Sequence, residues 1–251
     1  MKAMILAAGL GTRLKPLTDT IPKAIVRING IPIIGIIIRR LVNYGFTDII
    51  INLHYLPDQI ISYVESLRYP GTNFWFSHEK EQILDTGGGI KNARELLEDG
   101  QPFLVHNVDV ISDIDLARIY RFHQSREAIA TLAVKGKDSH RSLLFDKEWL
   151  LAGWENSHTG ESRIIRQSEG GSLMRIGFCG IHVISPEIFD LMQNDKVFSI
   201  INTYMQVGAD HRIYGYPVEH NLWLDIGSHK QLEEAKHIDP GKYLPEDHYN
   251  D

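Results

Sequence analysis

The residues in this sequence best suited to phosphate and metal chemistry stand where short apolar runs break off. Arg13 follows the run Lys2–Ala7 and the turn Ala8-Gly9-Leu10-Gly11-Thr12, and Lys15 and Lys23 come next, the latter behind the stiffening Pro22. Asp109 closes Phe103-Leu104-Val105-His106-Asn107-Val108, and Asp225 lies within Trp223-Leu224-Asp225-Ile226-Gly227-Ser228. Gly9 and Gly11 permit positive φ and close backbone approach to a ligand. A strand that feeds such a loop, with cations behind it, can hold a polyphosphate, because backbone N–H groups and Lys/Arg side chains both face anionic oxygens. As a bare G-x-G pattern the same residues also read as an ordinary strand-to-helix turn.

Two familiar phosphate loops are excluded. No G-x-x-x-x-G-K-[ST] string exists, and the third glycine of a dinucleotide fingerprint would fall at Leu14. Ligands of open α/β sheets gather beyond the carboxyl ends of strands, which places Asp109 well for metal work, although an aspartate there can also simply cap a turn. Asp225 sits in an apolar stretch where an unpaired carboxylate is expensive, while Ser228 reads as a helix N-cap. Two carboxylates far apart in sequence, each at a strand end, suit Mg²⁺, which takes hard oxygen ligands and keeps several waters. A further block, Leu84-Asp85-Thr86-Gly87-Gly88-Gly89, precedes a helical pattern with Ile90, Ala93, Leu96 and Leu97 on one face. Three consecutive glycines predict a loop whose flat backbone surface could meet a planar ring, or a merely flexible one.

The elements that must position these groups alternate along the chain. Strands are expected at 48–53, 73–77, 102–108 and 128–134. Helices are expected from Gly30-Ile31-Pro32 to Val42, over 57–67 and over 115–124. That alternation predicts an α/β fold with a Rossmann-like, doubly wound, mostly parallel mixed sheet. From about Lys135 the rhythm changes to short strands (142–145, 149–154, 174–184) around a polar loop at 155–172, a small antiparallel extension. Gly180 lies in the last of these strands, where it leaves room for a ligand or marks a bulge. The expected division is 1–238, with a nucleotide part at 1–134 and a second part at 135–238, then a polar, extended tail at 239–251.

Composition narrows the classes. The 251 residues allow a sizeable core. A formal net charge of −6 without a basic stripe argues against nucleic-acid binding, so an anionic substrate must rely on local cations. The single cysteine, Cys179, rules out an internal disulfide and reads as a buried structural thiol, which makes the cytoplasm the expected compartment. No apolar run approaches a membrane span. The twelve histidines show no zinc spacing, and His106 reads as a core histidine. Oligomeric state is left open.

The string L-A-A-G-L-G-T-R-L followed by Pro22-Lys23 resembles the signature of the sugar-1-phosphate nucleotidyltransferases, and the D-T-G-G-G, Asn107-Val108-Asp109 and Trp223-x-Asp225-x-Gly227 blocks follow in the family's order. The resemblance implies a glycosyltransferase-A-like fold, a nucleoside triphosphate and a sugar 1-phosphate as substrates, and Mg²⁺ held by Asp109 and Asp225. It implies phosphate contacts from Arg13 and Lys23 beside Ala8, Gly9, Gly11 and Thr12. Base and sugar contacts would come from Thr86, Gly87, Gly88, Asn107 and Gly180. The D-T-G-G-G-I form looks closest to the branch of N-acetylmuramate-1-phosphate uridylyltransferases, with mannose- or heptose-1-phosphate guanylyltransferases next. Two departures stand out: Val108 replaces the usual glycine of N-G-D, and no E-K-P motif supplies a lysine for the sugar phosphate. Lys135, Lys137, Lys147, Arg163, Arg166 and Arg175 are cations of that region that surface solvation also explains. A nucleotide-sugar sensor and a choline-phosphate-type cytidylyltransferase are the rival readings. The latter would need an aromatic cage, drawn from Trp75, Trp149, Trp154 or Trp223.

Overall fold

The computed structural model describes residues 1–136, 140–167 and 171–244. The first half alternates as the periodicity predicts: β1 (Lys2–Leu6), β2 (Arg27–Ile28), β3 (Ile31–Pro32), α1 (Ile33–Asn43), β4 (Asp48–Leu53), α2 (Pro57–Ser66) and β5 (Asn73–His78). It continues with α3 (Asp85–Asn92), α4 (Arg94–Leu97), β6 (Phe103–Asn107), β7 (Val110–Ser112), α5 (Leu116–Ser125) and β8 (Ala130–Lys135). Then come β9 (Arg141–Phe145), β10 (Leu151–Asn156), β11 (Glu161–Ile164), β12 (Met174–Ile184), α6 (Ile188–Leu191), α7 (Ile200–Val207), β13 (Ile213–Pro217), β14 (Trp223–Asp225) and α8 (His229–Lys236).

The main sheet runs β11-β10-β9-β12-β6-β1-β4-β5, with β8 on β12 and β13 on β8. The strands β6, β1, β4 and β5 pair in parallel, so their carboxyl ends open on one edge. β12 joins antiparallel to β6, pairing Ile181 with His106, and its amino-terminal half runs on to carry β9. Strand pleating sorts the core: Ala3 and Ile5 point to the cluster of α1, α2 and α8, and Met4 to the cluster of α3 and α7. α1 earns its place with Ile33, Ile34, Ile36, Ile37, Ile38 and Leu41, all buried.

Three sequence expectations change. The triple glycine is not a loop: Gly87, Gly88 and Gly89 form the body of α3. Replacing glycines by alanines in a free helix would gain about 1 kcal/mol each, so packing must decide here. A Cβ on Gly87 would strike the Phe198 ring, and one on Gly88 the carbonyl of Lys196. The helix therefore lies flush against the segment that leads into α7. The polar loop at 155–172 contains β11, which pairs antiparallel with β10 as far as Gly153–Ile164. The first part of the tail is not extended: Pro240–Lys242 form a turn, Tyr243 is buried and accepts a hydrogen bond from Asn29 at 3.2 Å, and 245–251 lie outside the described residues.

Cys179 is buried, as expected of a structural thiol. Two buried histidines bridge packed elements. His123 sits between the hydroxyls of Thr131 and Ser185, both at 3.0 Å, and His182 meets the Tyr204 hydroxyl at 2.6 Å. Burial pushes the His123 pKa down to about 4 and that of His182 to about 3. Both are neutral in the fold but take up protons near pH 6.5 when unfolded, so the stability they contribute is complete above pH 6.5 and is lost as pH falls through 4. The loss should reach on the order of 2 kcal/mol per histidine by pH 5. Urea midpoints compared at pH 7.5 and pH 5 check this, and a level midpoint overturns it.

Candidate active site

The loop after β1 is built around Gly11, which is left-handed at φ 64°. A Cβ there would stand 3.0 Å from Thr18 Cγ2 and 3.1 Å from Lys23 Cβ. The Thr18 hydroxyl donates to the Gly11 carbonyl at 2.8 Å, and the Tyr55 hydroxyl reaches the Asp19 carbonyl at 3.0 Å. The chain thus folds back in three short 3-10 turns and delivers Lys23, only 8% exposed, beneath its own glycine turn. A lysine so buried needs a partner. It finds one in Asp109, with Nζ 2.7 Å from Oδ2.

Asp109 follows the carboxyl end of β6 in a tight turn, and β7 leaves that turn to pair antiparallel with β14. In that register Asp225 faces Val110, and the Ile226 N–H donates to the Asp109 carbonyl at 2.7 Å. Residues 116 positions apart are thereby neighbours. The Trp223 indole donates to the Cys179 carbonyl at 2.9 Å, tying β14 to β12. Gly227 lies against the Arg13 guanidinium so closely that a Cβ would come within 2.6 Å of it. The glycine of the last block is thus the seat of the arginine of the first.

A cavity of about 310 Å³ opens at these strand ends. Of the residues singled out from sequence, Ala8, Gly9, Gly11, Thr12, Arg13, Lys23, Thr86, Asn107 and Asp109 line it. The structure does not bring Gly87, Gly88 or Gly180 to its wall. The first two are turned into the α7 contact. Gly180 (φ +74°) sits at the register shift of β12, with space for a Cβ closed by Asn107 Nδ2 at 2.8 Å, so it backs Asn107. The reading of a flat glycine face for a ring is corrected accordingly. Asp225 is likewise not among the lining residues, although its register opposite Val110 sets it on the segment next to Asp109.

Sequence reasoning missed Asn52 and Glu79, buried residues that line the same cavity. The Asn52 amide donates to Glu79 Oε1 at 2.7 Å, and Glu79 Oε2 accepts from the Leu84 N–H at 2.7 Å. The signal that could have found them is positional: each lies at or just past the carboxyl end of a parallel strand, β4 or β5. Thr86 also reaches across, its hydroxyl accepting from the Ile200 N–H at 3.0 Å.

The cations left open by the sequence are now sorted. Lys135 donates to the Asn221 carbonyl, Arg166 to the carbonyls of Gly208 and Ala209, and Arg175 pairs with Glu155. Lys147 is exposed, and Lys137 lies outside the described residues. Of the five that are described, only Arg163 lines a second cavity. The tryptophans have four different surroundings and form no cage: Trp75 is exposed on β5, Trp149 packs on Phe145, Trp154 lines the second cavity, and Trp223 is bonded to Cys179. His106 is buried beside its own strand, as a core residue.

Asp109 lines the cavity and Asp225 lies on the adjacent segment, so the chain offers hard oxygen donors there. Two carboxylates on adjacent chain segments are what Mg²⁺ asks of a protein when substrate phosphates and waters complete its shell. Among the described residues no cluster of three or more carboxylates, histidines or cysteines forms a closed metal cage.

A partly parallel α/β sheet whose strand ends carry a glycine loop and a buried lysine paired with a carboxylate suits a protein that handles nucleotide phosphates. The sequence model of the nucleotidyl transferase family matches residues 2–143, and the chain belongs to that family. It is 34% identical over 242 residues to the N-acetylmuramate alpha-1-phosphate uridylyltransferase of Neisseria meningitidis, covering 94% of this chain and 97% of that one. It is 33% identical to the mannose-1-phosphate guanyltransferase of Yarrowia lipolytica, covering 92% of this chain but 62% of that longer protein. The fold is shared with the UDP-glucose pyrophosphorylase of Acinetobacter baumannii, with a TM-score of 0.75 at 17% identity over 94% of this chain and 91% of that one. The chain is therefore an enzyme of the sugar-1-phosphate nucleotidyltransferase class. Among the described residues no helix is long and apolar enough to cross a membrane.

The packing of Arg13 on Gly227 yields a direct test. Gly227→Ala should displace the guanidinium and lower kcat/KM by about tenfold or more, with the thermal midpoint nearly unchanged, since misplacements near 1 Å carry costs of that order. Steady-state kinetics and thermal unfolding of the one variant check it. Full activity would mean that Arg13 is not held for function.

Proposed function

We propose that the enzyme transfers a uridylyl group from UTP to N-acetylmuramate 1-phosphate with the help of Mg²⁺, releasing pyrophosphate. The observation that carries this reading is the convergence in one cavity of Gly9, Gly11, Arg13, Lys23 and Asp109. Likeness to the Neisseria uridylyltransferase over nearly both whole chains supports the choice of substrates. GTP with mannose or heptose 1-phosphate is the second reading, favoured by the Yarrowia relative. A sensor without chemistry has little support, because it would need neither the buried lysine nor the carboxylate pair. The choline-type acceptor loses its basis with the missing aromatic cage.

The mechanism follows from charge. An oxygen of the sugar phosphate attacks the α-phosphorus in line, and pyrophosphate departs from the opposite side. The attacking phosphate is already ionised near neutral pH, so no general base is needed. The barrier is the meeting of two anions while charge builds on the leaving group. The glycine loop and Thr12 offer N–H and hydroxyl donors to the triphosphate, and Arg13, seated on Gly227, holds a fixed positive charge beside it. Lys23, paired with Asp109 at 2.7 Å, would offer a second cation to the phosphate oxygens. Asp109 and Asp225 would hold Mg²⁺, which when bound neutralises phosphate charge and aligns the reactants. Asn52, Glu79 and Thr86 bring hydrogen-bonding groups rather than cations to the cavity, where they would face the nucleoside.

Pyrophosphate release measured across the common nucleoside triphosphates and a panel of sugar 1-phosphates tests the substrate choice. Turnover with UTP and N-acetylmuramate 1-phosphate above all other pairs is expected; a guanosine pair in first place replaces it with the second reading. Asp109→Ala and Asp225→Ala should each lower kcat by about a hundredfold or more, the scale seen when groups that stabilise transition-state charge are removed. Circular dichroism should show both variants folded. Undiminished turnover in both would sink the assignment of the carboxylates.

A further inference from the structure

A second cavity lies between the antiparallel extension and α7, outside everything assigned above. It is lined by Arg141, Trp154, Glu161, Arg163, Phe178 and Ser199, among others. The strand register explains why these side chains gather. Leu143 faces Trp154 and Trp154 faces Arg163 in one cross-strand row, while Arg141 faces Asn156 and Asn156 faces Glu161 in the next. Alternate residues of β9, β10 and β11 thus present one face, with an indole flanked by guanidinium groups.

Two short chain links join the lining of this cavity to that of the active one. Phe178 stands two residues from Gly180, whose backbone presses on Asn107 of the first cavity. Ser199 immediately precedes Ile200, whose N–H is bonded to Thr86, also of the first cavity, at 3.0 Å. Arg141 and Leu143 lie at the very end of residues 2–143, the part matched to the family as a whole, and Trp154, Glu161, Arg163, Phe178 and Ser199 lie beyond it. A region outside the shared part, next to the chemistry, is where selection among acceptors belongs.

Its charge is the informative feature. The chain as a whole carries a formal net charge of −6, yet among the described residues the lining of this cavity brings the guanidinium groups of Arg141 and Arg163 together with the carboxylate of Glu161. An arginine presents a planar fork of donors that matches a carboxylate, and an indole face suits the flat apolar side of a sugar ring. Resting on the proposed acceptor, we infer that this cavity binds a carboxylate carried by the sugar of the acceptor, with Arg163 and Arg141 as its partners and Trp154 as the platform beneath the ring. N-acetylmuramate bears such a carboxylate on its lactyl ether, and N-acetylglucosamine is the same sugar without it.

The test measures kcat/KM for N-acetylmuramate 1-phosphate and for N-acetylglucosamine 1-phosphate, with UTP saturating, in the parent enzyme, Arg163→Gln, Arg141→Gln and Arg163→Lys. The parent should prefer the carboxylate-bearing acceptor. In Arg163→Gln or Arg141→Gln that ratio should fall by about tenfold, the scale of one charge-assisted hydrogen bond, and Arg163→Lys should restore part of it. A preference in the parent that survives intact in both glutamine variants overturns the assignment of this cavity and leaves the acceptor reading standing. Turnover of the neutral sugar with no preference for the charged one overturns the acceptor reading, and this assignment with it.

Discussion

The ion pair between Lys23 and Asp109 is the contact on which the rest of the site depends. It spans 86 residues at 2.7 Å and fixes the glycine loop onto the end of the central strands. Its logic is electrostatic. In a protein with net negative charge, a partly buried carboxylate gains from a cation close by, and a buried lysine needs an anion just as much. Each makes the other tolerable. Removing one partner would leave an uncompensated charge, so the pair also ensures that the loop is shaped before any ligand arrives.

Around that pair, each element contributes position rather than chemistry. The parallel strands β1, β4 and β6 bring Ala8, Asn52 and Asn107 to a common rim. The small ribbon of β7 and β14 carries Asp225 to Asp109 and Gly227 to Arg13. The long β12 closes the far side, where Gly180 lets its backbone rest on Asn107. The enzyme class follows from this arrangement together with the family match, and the substrate proposal follows from the likeness along nearly the full chain.

Much of this was legible from residue order alone, and the exceptions share a cause. The strand of Lys2–Leu6, the glycine loop, Lys23 and Asp109 announce themselves through local pattern: an apolar run, a turn, a charge. Asn52 and Glu79 carry no such mark, because their importance lies in touching each other and Leu84, which only the parallel register of β4 and β5 arranges. Gly87 and Gly88 misled for the opposite reason. Their small size pointed to a ligand, but it serves the contact with Phe198 and Lys196, a partner segment over a hundred residues away. The strand at Glu161–Ile164 hides in a polar stretch because all four of its residues are exposed, so no alternation betrays it.

The glycine-rich α3 carries one more implication, for the order in which the chain acquires its shape. A segment of eight residues with three glycines in succession cannot nucleate a helix by itself, since nucleation fixes several backbone angles for one hydrogen bond and each glycine adds to that entropic deficit. α3 must await a template made of Asn52 and Glu79 below it and the Lys196–Phe198 segment beside it, parts synthesised before and long after it. The cavity wall formed by Asp85 and Thr86 is accordingly among the last features to set, and the earlier-made half of the protein stays an incomplete nucleotide site until the later half has docked.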